Sequence, residues 1–345
     1  MSSHTRMDRR TLLLAAPLLV GGLACSPSSG VREPRPGSGD ELASSVAAGK
    51  PTVLVCMPDT KQTREVWAGL LDELAQHFTL VAMRVEGERG PSVVASAMQR
   101  YHPACVVLMN NPTVLAYARF QAAARLEHYP PAIVVMTSFL DRRPAALDDA
   151  TGISYEVPLI TVVTNLRRLM SSPVERVGVI RRQPLHGFVA RQAELARREQ
   201  ITVIEQPVSL EPNAAELKYA LRELKQSCDA IWVLNDDRLL SQRLIADGWL
   251  PGLNERPYKP AIVGAASLVS PTQSFGTFAV LPDHTALGVQ TANRVFDLAD
   301  ASWHLGSRDD VELPLSTTTS VDLVQARERF ALRQDALERV DHILE

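Results

Sequence analysis

Apolar runs of strand length, with no polar residue alternating inside them, recur along this chain between amphipathic stretches of helix length. TVLVCM (52–57), flanked by Pro51 and Pro58, precedes a helical stretch over 63–77. A strand over 80–85, a helix over 93–101, a strand over 104–109, a helix over 112–127 and a strand over 132–136 follow. Runs that are apolar on both faces suit strands covered on both sides by helices, as in a parallel sheet. Their alternation with helices predicts a doubly wound α/β fold.

The pattern then restarts. After GISYEVP (152–158) comes a helix over 159–170, with Arg167 and Arg168 in its last turn, where cations suit the helix dipole. Strands over 176–180, 202–206, 230–234 and 261–264 alternate with helices over 187–199, 214–226 and 241–249. A strand over 276–281, a helix over 284–304, an extended stretch over 311–320 and a final helix complete the chain. These two βα sets predict two doubly wound parallel-sheet lobes joined by a hinge. Lobe 1 is expected over 51–152 with 270–305 returning to it, and lobe 2 over 158–265 with 313–332 returning to it. Residues 333–345 are expected as a C-terminal helix, and the ligand cleft between the lobes.

The chain carries a net charge of -3 and only 5% aromatic residues. A mildly acidic chain with no basic stripe argues against nucleic acid as a partner. Past residue 25 stand three cysteines, Cys56, Cys105 and Cys228, each in or beside an apolar run. An odd number without metal-like spacing fits buried thiols better than a disulfide framework.

The first 25 residues have the three-part layout of a signal peptide: a basic start (Arg6, Arg9, Arg10), an apolar run over 12–23, then Ala24-Cys25. That run is shorter than the roughly 20 residues a membrane-spanning helix needs. Ala24-Cys25 resembles the lipobox of bacterial lipoproteins, which implies a lipid on Cys25 and a membrane anchor in the cell envelope. It departs from the usual pattern at Gly22, where Leu is customary. Ser26 after the lipidated Cys favours the outer membrane if the envelope is Gram-negative. DRRTLL (8–13) resembles a twin-arginine export signal, and ordinary secretion remains the alternative. Residues 26–50, rich in Ser, Pro and Gly, read as a flexible tether.

TGISYEVPLITVVTNLRRLMSSPVERVGVI (151–180) resembles a segment of the substrate-binding proteins of ABC transporters. The resemblance is to the type I periplasmic-binding-protein group that includes tryptophan/tyrosine-type uptake components. TVLVCMPDTKQTREVWAGLLDEL (52–74), CVVLMNNPTVLAYARFQ (105–121) with PAIVVMTS (131–138), DAIWVLNDDRLLS (229–241) and AVLPDHTALGVQTANRVFDL (279–298) continue it in order. It spans roughly 51–332. It implies capture of a small polar, amino-acid-like ligand between two lobes and delivery to an ABC permease. The charged flank of the second strand (Arg84, Glu86, Glu88, Arg89) and the extension to Glu345 depart from the pattern. They leave a second role open: an envelope accessory or sensory lipoprotein that uses the same fold to bind a protein partner.

In an open parallel sheet, ligands bind beyond the carboxyl ends of the strands. The polar residues there are Asp59, Thr60, Asn110, Asn111, Thr137, Ser138, Asn235, Asp236, Asp237 and Ser267, with Arg181 and Arg182 beside them. Carboxylates of a ligand would meet helix N-termini or hydroxyls, and an amine would meet Asp236 or Asp237. The same residue types also serve as helix N-caps and turn formers, so both readings stand here. Tyr155 and Glu156, in the first inter-lobe connection, either contact the ligand or stiffen the hinge, and Trp232 reads as core. No catalytic residue, metal or cofactor is expected. Ser154 lies in GISYE, outside the nucleophile-elbow pattern, and the eight histidines show no metal spacing. GERG (87–90) is a short turn, and the adjacent Asp236 and Asp237 diverge too far to share acid/base work.

Overall fold

A computed structural model describes residues 31–32 (backbone only), 40–140, 147–272, 274–306 and 311–345. The leader and Cys25 lie outside the described residues. The strands fall into two sheets, one per lobe.

In lobe 1, strands β1 (Val31–Arg32), β2 (Glu41–Ser45), β3 (Thr52–Met57), β4 (Thr79–Arg84), β5 (Cys105–Met109), β6 (Ala132–Val135) and β7 (Ala150–Ile153) make an eight-stranded sheet with a late strand, β13 (Val311–Glu312). The order is β1-β2-β4-β3-β5-β6-β7-β13, parallel from β4 to β13 and antiparallel at β1 and β2. Helices α1 (Lys61–Leu74), α2 (Gly90–Tyr101) and α3 (Asn111–Ala124) connect the strands. Side chains on β3 alternate between two cores. Val53, Val55 and Met57 pack towards α1, while Leu54 and Cys56 pack towards α2 and α3.

Lobe 2 contains β8 (Arg176–Arg182), β9 (Thr202–Val208), β10 (Ala230–Val233), β11 (Ala261–Val263), β12 (Phe278–Pro282), β14 (Thr317–Asp322) and β15 (His342–Leu344). The order is β15-β14-β12-β11-β10-β8-β9, with β12–β14 the antiparallel pair. Helices α4 (Leu159–Leu169) and α5 (His186–Ala196) cover one face, and α6 (Ala214–Ser227) the other. A short helical run follows: α7 (Gln242–Leu244), a π turn (Ile245–Trp249) and α8 (Leu250–Asn254). The later helices are α9 (His284–Asp300) and α10 (Leu323–Arg329). Among the described residues, no helix is long and apolar enough to cross a membrane.

The two-lobe α/β architecture read from the sequence is the one observed, with four differences in extent. Within the segment expected as a tether up to residue 50, Val31–Arg32 pairs with β2 and Glu41–Ser45 pairs antiparallel with β4. Residues 278–282 belong to lobe 2, where β12 pairs with β11, so the return to lobe 1 begins at Asp283 and not at 270. Residues 150–153 form β7, pairing parallel with β6, where no strand was expected. Residues 333–345 form a 3-10 turn (Gln334–Arg339) and β15 instead of a helix. Paired contacts of Asp341 with Thr319 hold that end against β14: the Thr319 N–H and hydroxyl donate to Asp341 Oδ2 at 2.7 and 2.8 Å.

Helix α9 packs on α1 with their backbones in close approach. A Cβ at Gly69 would overlap the Thr285 carbonyl, and one at Gly288 the Val66 carbonyl. Gly288→Ala is therefore expected to lower stability by about 1–3 kcal/mol through overpacking. Thermal unfolding followed by circular dichroism checks this, and an unchanged Tm would show that the two helices part freely.

The chain crosses between lobes at residues 154–158, 283 and 313–316, and hydrogen bonds tie the crossings together. Ser154 N–H donates to the Glu312 carbonyl (2.8 Å), and Asp283 N–H donates to the Ser316 carbonyl (3.0 Å). The Tyr155 hydroxyl meets His284 Nε2 at 3.0 Å, with the two rings stacked, and His284 Nδ1 meets Glu65 Oε2 at 2.9 Å. Three cross-linked connections of a few residues each form a compact hinge.

Candidate functional site

The carboxyl ends of the parallel strands in both lobes face one cleft of about 670 Å3. Its lobe 1 wall is the start of α2 and one face of α3: Gly87, Pro91, Asn111, Pro112, Leu115, Ala116 and Arg119. Its lobe 2 wall carries Arg182, Leu185, Asn235, Asp236 and Asp237. Phe139, on the loop after β6, lines this cleft and also a small inner pocket of about 30 Å3 towards the hinge.

Strand-end chemistry accounts for how the wall is built. Asn110 caps α3, its side chain accepting from Thr113 N–H at 3.0 Å. With Pro112 in the first turn, this leaves Asn111 to face outward, and its Oδ1 accepts from Ser138 N–H at 3.0 Å. One helical turn apart, Leu115 and Arg119 then share that face. Across the cleft, Arg182 grips Asp236 with two hydrogen bonds: Nε to Oδ2 and Nη2 to Oδ1, both 2.7 Å. Asp236 is 1% exposed. Both of its oxygens are thus spoken for, and Oδ1 also receives Arg238 N–H at 3.0 Å. Asn235 donates to the Gly264 carbonyl at 3.2 Å, and a Cβ at Gly264 would collide with the Asn235 amide. A glycine there is what lets Asn235 lie flat on the floor.

Of the polar residues singled out in the sequence, the cleft brings together Asn111, Asn235, Asp236 and Asp237. Tyr155 and Asn235 line the inner pocket. The others work locally. Asp59 binds Arg64 and Arg84, and the Arg64 guanidinium, with Arg84, holds its carboxyl below the usual carboxylate range. Thr60 forms a capping box with Thr63 at the start of α1. The Thr137 hydroxyl donates to the Val135 carbonyl (3.3 Å), and Ser138 presents its N–H to Asn111. Ser267 sits exposed on the 3-10 turn Ala266–Leu268.

The residues missed were Phe139, Leu115, Leu185 and Arg119. Phe139 had a signal, as an aromatic residue directly after the polar Thr137-Ser138 pair in a strand-end loop. Its φ of 61° lies in the left-handed region, a conformation costing roughly 1–3 kcal/mol for a bulky residue unless its surroundings enforce it. They do so here. Its N–H donates to Glu156 Oε2 at 2.7 Å, and its ring meets Phe188 of lobe 2 edge-on at 5.1 Å. Phe188 in turn lies 6.0 Å from Trp232. Trp232, read as core, packs in lobe 2 and also lines the inner pocket.

Glu156 belongs to the first crossing. Its Oε1 is sealed from solvent and finds no hydrogen-bond partner among the described residues. Burial pushes its pKa up to about 7, the Phe139 N–H and its own backbone N–H offsetting part of that rise. Burial likewise raises the Tyr155 phenol to about 12. Among the described residues, no group of three or more His, Cys, Asp or Glu side chains is placed to hold a metal ion.

No family model and no curated protein matches the chain. Solved structures do. A protein from Streptococcus pneumonia described as an ABC domain in complex with L-Trp shares 18% identity, covering 86% of this chain and all of that one, with a TM-score of 0.54. A conserved domain protein from Vibrio cholerae shares 16% over 85% of this chain and 99% of its own, with a TM-score of 0.53. The ligand-free, open form of a substrate-binding protein with adhesive properties from Clostridium difficile shares 11% over 86% and 99%, with a TM-score of 0.59. At these identities the likeness is one of fold: two lobes of the type I periplasmic-binding-protein kind.

Proposed function

We propose that this protein captures a small polar, amino-acid-like ligand between its two lobes and delivers it to an ABC permease, held to the membrane by a lipid on Cys25. The observation that carries the reading is a cleft walled by both lobes beside three short, cross-linked crossings. A ligand touching both walls binds the closed form better than the open one, and that difference in affinity shifts the equilibrium to closed. A permease that recognises the closed form then receives only loaded protein. The L-Trp in the Streptococcus structure supports an amino-acid-like ligand. The leader supports export, and Ala24-Cys25 supports the anchor.

Calorimetry and thermal unfolding over amino acids, amines, nucleosides and sugars test the reading. A true ligand at a hundredfold excess over Kd adds about 2.7 kcal/mol, a rise of several degrees in Tm. Cys25→Ser, expressed in a bacterial host, is expected to move from the membrane to the soluble fraction. A well-folded protein that binds no solute, but draws down one envelope protein through the cleft face, would replace transport with the accessory role.

A further inference from the structure

Three observations converge on the inner end of the cleft. The pocket there measures about 30 Å3, room for one or two water-sized groups, and aromatic rings of Phe139, Phe188 and Trp232 line it. Glu156 also lines it, with one carboxylate oxygen held by the Phe139 N–H and the other, Oε1, buried and without a hydrogen-bond partner among the described residues. The acid expected to meet an amine, Asp236, has both oxygens committed to Arg182. When ionised, a buried carboxylate oxygen beside a pocket lined by rings calls for a donor, and a protonated amino group is a donor of that size which aromatic faces also attract.

We infer that Glu156 is the specificity-determining acid of this cleft: the inner pocket takes the ammonium group of an organic amine, which donates to Oε1, while the body of the ligand lies in the larger cleft. The inference rests on the cleft being the ligand site. It narrows the ligand to primary or secondary amines, amino acids included, and disfavours sugars and simple carboxylates, which carry no cation for the pocket. The amine binds as R–NH3+ and keeps its proton. Where Glu156 is protonated beforehand, its carboxyl proton leaves to solvent on binding. Affinity is therefore expected to weaken as pH falls below about 7. Among the residues lining the pocket, Tyr155 is the other titrating group, with His284 and Glu65 behind it.

Matched probes test this on the mature protein by calorimetry at pH 8 and pH 6: L-leucine against 4-methylpentanoate, L-tryptophan against indole-3-propionate, and tyramine against 4-ethylphenol. The members of each pair differ at the amine alone. At least one amine is expected to bind about 10–100-fold more tightly than its partner at pH 8, the range of a charge-assisted hydrogen bond, and less so at pH 6. Glu156→Gln is expected to erase that discrimination and its pH dependence. Glu194→Gln, which changes an exposed acid of α5, should preserve both. A Tm for Glu156→Gln at or above that of the parent at pH 8 shows that it folds. If the variant does not fold, uptake or release of protons by the parent, measured in buffers of different ionisation enthalpy, decides instead. Equal binding within every pair, or discrimination that survives Glu156→Gln, overturns the inference. A sugar or other uncharged solute binding in place of the amines overturns it too, while leaving the two-lobe receptor standing. No binding of any solute overturns both.

Discussion

Replacing Arg182 by leucine is expected to lower the unfolding free energy by about 3–5 kcal/mol, the cost of leaving a buried charge without its partner. Asp236 is 1% exposed, and the Arg182 side chain only 16%. Two hydrogen bonds of 2.7 Å join them, and the Arg238 N–H is the other donor to the carboxylate. The leucine would also lose the Arg182 contact with the Leu210 carbonyl at 3.3 Å, which fastens the loop after β9. Lysine is not a conservative choice here, because a single ammonium cannot reproduce the planar two-point grip. Asp236→Asn added to Arg182→Leu removes the stranded charge, so the double variant should recover a large part of the loss. A double-mutant cycle by urea unfolding measures this. Strictly additive losses would mean that the two side chains are not coupled and that the pair does not hold the lobe 2 wall.

Strands buried on both faces were the most legible part of the fold. β3, β5, β6 and β10 are short runs of apolar residues, nearly all inaccessible to solvent. The strands that sequence reasoning missed depend on distant partners. β7 reads ATGI, and a glycine inside a run looks like a loop. Here Gly152 is present because a side chain would strike the Val134 carbonyl of the neighbouring strand. β2 has a loop-like composition, ELASS, and acquires its structure from β4, paired with residues 35–42 positions further on. The last residues look helical in isolation, yet Thr319 and Asp341 draw them into the lobe 2 sheet.

The candidate site was legible as a set of loops but not residue by residue. A polar side chain just past a strand either caps the next helix or faces the cleft, and the chemistry of the two roles is the same. Asn110 and Asn111 show the difference. The first turns inward to cap α3 and the second lines the cleft, and only the helix geometry separates them. The arginine that neutralises Asp236 lies 54 residues away in sequence. Glu156 was legible as a hinge residue, but the pocket it lines is completed by Phe139, Phe188 and Trp232 from three other elements. Burial of this kind is a property of the assembled lobes.

That burial has a second measurable consequence. Glu156 has a pKa of about 7 in the folded protein against 4.5 for the unperturbed group, chiefly because burial disfavours the charged form. The folded state therefore holds a proton that the unfolded chain gives up between about pH 4.5 and pH 7. By linkage, this contribution to stability is complete below pH 4.5, declines through that window and is absent above pH 7. At about 1.4 kcal/mol per pKa unit, the full amplitude is at most about 3–4 kcal/mol. Glu156→Gln mimics the neutral acid and keeps an acceptor for the Phe139 N–H. It should therefore raise stability at pH 8 by up to that amount, change little at pH 4.5, and flatten the profile between. The acid limb should stay, because Asp341, whose carboxyl the Thr319 N–H and hydroxyl hold below the usual range, loses its contribution only as pH falls further. Urea unfolding of parent and variant from about pH 2.5 to pH 8.5 supplies both curves. Parallel curves across the window would mean that Glu156 ionises freely in the folded protein. The sealed pocket would then be open to water, and the hinge carboxylate would have no need of a cationic partner.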